Sequence, residues 1–130
     1  MMALLMVSGC GGEDEKPTQA PSKDEDAVVS TLRSYIGHLA AGEPREACAL
    51  MTREAQRSLV DAVTRSGGGI RGASCVEVSA QLQRFATGRP RVTQVQVKGD
   101  DASASAQVGS LPATKPRLVR DGDGWKISAF

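Results

Sequence analysis

The sequence predicts an α+β domain in which N-terminal helices pack on a curved antiparallel sheet. Three observations carry that prediction. Apolar residues recur at steps of three and four in the first part of the chain and at steps of two after Gly88 and Pro90. Helix caps and breakers punctuate the first part, and glycine-containing turns punctuate the second. The chain has 130 residues and is 40% apolar, enough for one modest core.

The first helix is predicted from about Lys23 to Ala41, with Val28, Val29, Leu32, Tyr35, Ile36 and Leu39 on one stripe and Gly42 as the stop. Pro44, pre-set for a first helical turn, opens a short second helix carrying Ala47, Cys48 and Met51. Thr52 can cap a third, from Arg53 to about Arg65, with Leu59, Val60 and Val63 inward. Ser66 to Gly72 ends it. The glycines there lack both the GxxxxGK[ST] spacing and a preceding strand, so they read as a link between helices and not as a phosphate cradle. Ser74 and Glu77 fit a capping box for a fourth helix that would bury Val78, Leu82 and Phe85.

Strands follow. Val95 and Val97 share one face of the first, and Ala102, Ala104, Ala106 and Val108 share a face of the second, with Gly99-Asp100-Asp101 turning between them. Three alanines in a row on that face either let a helix approach closely or leave an apolar hollow. Pro112 and Pro116 keep residues 111–116 out of a central ladder. Arg117 to Arg120 and Trp125 to Phe130 then form a hairpin around Asp121-Gly122-Asp123-Gly124, with Trp125 and Ile127 on one face.

Ahead of the domain, Ala3-Leu4-Leu5-Met6-Val7-Ser8-Gly9-Cys10 resembles a bacterial lipobox, in which the thiol is the one side chain nucleophilic enough to accept a diacylglyceryl group. Residues 1–9 are expected to be a truncated signal peptide, since no Lys or Arg precedes Cys10 and the apolar run is short; the start codon is expected upstream. Residues 10–26 are expected to be the lipidated (palmitate-bearing) cysteine and a disordered acidic tether, and 27–130 the single folded domain. The implied location is the extracytoplasmic face of the cell membrane, with lipid on Cys10 as the anchor. A transmembrane helix is excluded by the length of the apolar run.

Charge separates tether from domain. Residues 11–26 carry six acids against two lysines, a net of −4, whereas 27–130 carry 14 Lys or Arg against 9 acids, a net of +5. The basic residues are scattered with few aromatics between them, so no nucleic-acid interface is predicted.

With Cys10 assigned to lipid, Cys48 and Cys75 remain as a pair in an exported protein and are expected to form a disulfide. Two isolated thiols and a lone histidine, His38, make no zinc site, and no cofactor motif is present, so neither a metal nor a cofactor is predicted. No catalytic motif is recognised either.

Several local patterns together resemble the nuclear-transport-factor-2-like superfamily, and in particular actinobacterial lipoproteins with such a domain. They are Leu39-Ala40-Ala41-Gly42-Glu43, Ala47-Cys48-Ala49-Leu50-Met51-Thr52, Ser74-Cys75, Val97-Lys98-Gly99-Asp100-Asp101-Ala102 and Asp123-Gly124-Trp125-Lys126-Ile127. The resemblance covers roughly residues 24–130 and implies a cystatin-like cone enclosing a cavity. Members of that superfamily include enzymes and non-enzymatic binding or accessory domains, so the fold does not choose among them. The lack of an acid/base constellation points to a binding or accessory module whose partner is a neighbouring envelope protein or a small apolar ligand, a purely structural spacer being a further reading. The alternative is a small enzyme or carrier of the ketosteroid-isomerase type, whose apolar pocket would lie near Tyr35 and His38, with Trp125 as a further pocket residue. Tyr35 and His38, three apart on one helix, would share a face.

Overall fold

The computed structural model describes residues 22–65, 74–109 and 112–130. Its elements run α1 (Lys23–Ala40), α2 (Pro44–Ala49), α3 (Arg53–Arg65), α4 (Cys75–Leu82) and a 3₁₀ turn (Gln83–Phe85). They continue with β1 (Pro90–Lys98), β2 (Asp101–Val108), β3 (Arg117–Asp121) and β4 (Gly124–Ala129). The strands form one antiparallel meander in the order β1-β2-β3-β4. The α+β architecture is as the sequence predicts. Cys10, the lipobox and the 66–72 link lie outside the described residues.

Local chemistry sets the helix ends. Ser22 Oγ accepts from the Glu25 amide at 3.1 Å while Glu25 returns to the Ser22 amide at 2.9 Å, a capping box that starts α1 at Lys23. Residues 23–26, which fall within the predicted tether as well as the predicted helix, are therefore helical. Gly42 adopts φ +74 beyond the last turn, and the Glu43 amide reaches the His38 carbonyl at 2.8 Å, closing α1. Thr52 Oγ1 accepts from the Ala55 amide at 3.1 Å at the head of α3. Ser74 and Glu77 form the predicted box on α4.

Helix α1 lies across the inner face of the sheet, packing on β1, β4 and β2, and α2 and α4 stack beside it. The core joins Val28, Leu32, Ile36 and Leu39 of α1 to Leu118, Trp125 and Ile127 of the sheet. Cys48 of α2 and Cys75 at the first turn of α4 are disulfide-bonded, as predicted, with both sulfurs buried. Ser79 Oγ, also buried, lies 3.3 Å from Cys48 Sγ. The segment between α2 and α3 covers the free edge of β4: the Ile127 amide donates to Leu50 O, and the Thr52 amide donates to Ile127 O, both at 2.8 Å.

Some expectations shift. Ala55 is the buried residue of α3, while Leu59, Val60 and Val63 are half-buried, because α3 packs at the side of the domain on α4 and β4. Val78 is buried as predicted, Leu82 is half-buried, and Phe85 is 51% exposed. The cause is the change to 3₁₀ winding at Gln83: each residue then advances about 120° instead of 100°, so Phe85 rotates off the buried stripe. In β1 one extra residue enters between Thr93 and Gln96, with Gln94 at φ +54. This bulge leaves Val95 and Val97 half-buried on the core side. Gly109 at φ +55 cannot be replaced without collision, since a Cβ there would sit 2.5 Å from Thr87 O.

Candidate functional site

An apolar cavity of about 240 Å³ opens beside the core. One turn after another of α1 supplies its floor: Leu32, Tyr35, Ile36 and Leu39. Leu59 comes from α3, and Leu82, Phe85 and Ala86 come from the end of α4 and the turn that follows. The sheet contributes Ala106 and Val108, and the β2–β3 connection contributes Thr114 and Pro116. The alanine row of β2 is thus divided. Ala102 and Ala104 let α1 settle into the core, whereas Ala106, next along the strand, leaves the hollow. Thr114 pairs with Ala106 as an isolated bridge, its amide at 2.8 Å from Ala106 O, which fixes the cavity's far wall.

Two phenyl rings stand at the mouth. Phe85 and Phe130 both line the cavity and are 51% and 44% exposed. Phe130 leans on Tyr35 with ring centroids 5.6 Å apart.

Tyr35 places the cavity's phenolic hydroxyl. Its side chain is buried, and no hydrogen bond to it is made among the described residues. Burial pushes its pKa up to about 12, because the phenolate would lose its hydration. It is the chain's single tyrosine, so phenolate absorbance reads this site alone. Titration is expected to show ionisation near pH 12 instead of the usual 10. The sign for stability follows. The neutral phenol's advantage is complete below pH 10 and is lost as pH rises through 12, about 2–3 kcal/mol in all. Tyr35→Phe is expected to abolish that component of the alkaline loss and to cost little at neutral pH, since no buried partner is orphaned.

The other two predicted pocket residues lie elsewhere. His38 is on the last turn of α1, and the Gly42 turn brings Glu43 back beside it, with His38 Nδ1 and Glu43 Oε1 2.8 Å apart. Trp125 is buried on the inner face of β4, at the opposite end of α1 from the cavity. Arg120 stacks over the indole with its Cζ 4.6 Å from the ring centre. The same guanidinium reaches Asp24 and Asp100, each at 3.1 Å, and these bonds, Asp24 first, hold its pKa above the ordinary arginine value. Arg120, stacked on Trp125, therefore ties the start of α1 to the sheet. Phe85, Phe130 and Leu59, which do meet at the cavity, come together through tertiary packing that no local pattern encodes.

Asp, Glu and His are absent from the described lining of the cavity. Among the described residues no cluster of three or more His, Cys, Asp or Glu could hold a metal ion, and no helix is long and apolar enough to cross a membrane. Neither a protein-family model nor a curated protein matches the chain. A solved structure described as an NTF2-like transpeptidase from Campylobacter jejuni superposes with a TM-score of 0.53 at 11% identity, covering 79% of this chain and 98% of that one.

The fold is NTF2-like. Another solved structure, described as a calcium/calmodulin dependent protein kinase II association domain from Xanthomonas campestris, aligns at 18% identity with a TM-score of 0.41. It covers 95% of this chain and 98% of that chain. In the NTF2-like domain described here, the cavity lies between α1 and the β2 side of the sheet, lined chiefly by side chains that offer no chemistry beyond apolar contact.

Proposed function

We propose that this NTF2-like domain is a binding module for a small apolar ligand, carried on the extracytoplasmic face of the membrane by a lipid on Cys10. The observation that carries the ligand-binding half is the 240 Å³ apolar cavity: a packed interior would have pointed to protein binding through an exposed surface instead. The location rests on the lipobox-like run before Cys10, and the Cys48–Cys75 disulfide supports it, since such bonds persist in oxidising compartments. A ketosteroid-isomerase-like reaction would use Tyr35 as a donor but also needs a carboxylate base in the cavity, and the described lining supplies none.

The test has two arms. Uncharged N-phenylnaphthylamine is expected to bind the soluble domain saturably with a rise in fluorescence, and Ala106→Phe, which fills the cavity, is expected to abolish the rise. A Phe variant that is folded and still gives the full signal would remove the cavity from the function. In a bacterial host, the chain with a complete signal peptide restored ahead of Cys10 is expected in the membrane fraction and its Cys10→Ser variant in the soluble one; equal partitioning would end the anchoring proposal.

A further inference from the structure

We infer that the ligand is an anionic single-chain amphiphile, a fatty carboxylate, with its tail in the cavity and its head at Arg84. The inference rests on the proposal that the cavity binds apolar ligands, and it deepens that proposal by naming the class.

Size argues first. At about 30 Å³ per water-sized group, 240 Å³ accommodates roughly eight methylenes. One extended chain of that length fits the space. The walls suit a tail, since they are aliphatic and aromatic apart from Tyr35 and Thr114.

Charge argues second. No Asp or Glu lies among the described lining residues or next to one of them in sequence, whereas Arg33, Arg84, Lys115 and Arg117 do. Arg84 is the one held at the opening. Its Cζ stands 6.0 Å from the centre of the Phe85 ring, the half-exposed phenyl at the mouth, and no carboxylate pairs with it among the described residues. A guanidinium without an anion beside an apolar opening is complementary to a carboxylate whose chain points inward. Lys115, exposed between Thr114 and Pro116 of the wall, adds positive potential on another side. Tyr35 is a neutral phenol at physiological pH, so the described lining holds no negative charge to pair with a cationic head.

Three ten-carbon probes separate the terms: decanoate, decanol and decyltrimethylammonium, titrated calorimetrically into the soluble domain. Decanoate is expected to bind about tenfold more tightly than decanol, and the cation more weakly than either. Arg84→Ala is expected to bring decanoate to the decanol value while leaving decanol unchanged, and Arg84→Glu to reverse the order of the two charged probes. Because Arg84 is exposed, both variants should fold, and circular dichroism checks that they do. Decanol binding as tightly as decanoate, or a preference that survives Arg84→Ala, would overturn the anionic assignment while leaving the cavity as an apolar site. Failure of all three probes to bind the folded protein would overturn the ligand-binding proposal as well.

Discussion

Replacing Cys48 and Cys75 together by alanine is expected to lower the unfolding free energy by about 3–4 kcal/mol, the loop-closure entropy of a 27-residue separation. For a domain of roughly 100 residues each kcal/mol moves Tm by about 4–8 °C, so a fall of about 12–30 °C should appear. Geometry explains why so much rests on one bond. Helix α2 is six residues long and α4 eight, both too short to persist alone, and the bridge ties one to the other across the 66–73 stretch. Trp125 is the chain's single tryptophan and is buried, so its fluorescence in a urea titration measures the loss directly. A double variant within about 0.5 kcal/mol of the parent would mean that packing of α2 and α4 on α1 holds the layer unaided. The same measurement bears on location, because a domain this dependent on a disulfide would be poorly populated in a reducing compartment.

The helical layer was legible because its signals are local. Pro44, Thr52, Ser74 with Glu77, and Gly42 each act on backbone groups within a few residues, and the structure shows each acting as read. Ser22 with Glu25 carried the same signature and marks the start of α1 more sharply than the apolar stripe does. The strand parity of β2 and β4 was legible for a similar reason, since a buried face repeats every second residue. The bulge at Gln94 was not, because nothing in Thr93-Gln94-Val95-Gln96 distinguishes an inserted residue from an ordinary one. The cavity was legible only in part. Tyr35 and the alanine row pointed to it, but its mouth combines Phe85, displaced by a 3₁₀ turn, with Phe130 from the far end of the chain. His38 was drawn off by Glu43, a partner five residues away that a face-sharing argument on one helix does not consider. Trp125 was drawn off by Arg120, whose tie to Asp24 shows it to belong at the other end of α1.

Truncating the core is expected to be as costly as opening the disulfide, and the contrast between two leucines tests where core ends and cavity begins. Leu118 of β3 is 1% exposed and sits between Ala102 and Ile127 in the sheet register, its side chain in the central cluster. Leu118→Ala should cost about 3–4 kcal/mol, the lost transfer energy plus the price of a void that neighbours on two strands cannot collapse to fill. Leu59 of α3 is half-buried on the cavity wall, so much of its surface already faces space not filled by protein. Leu59→Ala should therefore cost about 1 kcal/mol, because it enlarges an existing hollow and removes fewer contacts. The ligand readout should invert that order. Leu59→Ala, which widens the cavity, should weaken N-phenylnaphthylamine binding several-fold, while Leu118→Ala, measured where it remains folded, should leave it nearly unchanged. Equal stability losses at the two positions would mean that the hollow closes in solution and that Leu59 packs as a core residue; equal binding losses would mean that the cavity and the core yield as one unit, with no separate site to occupy.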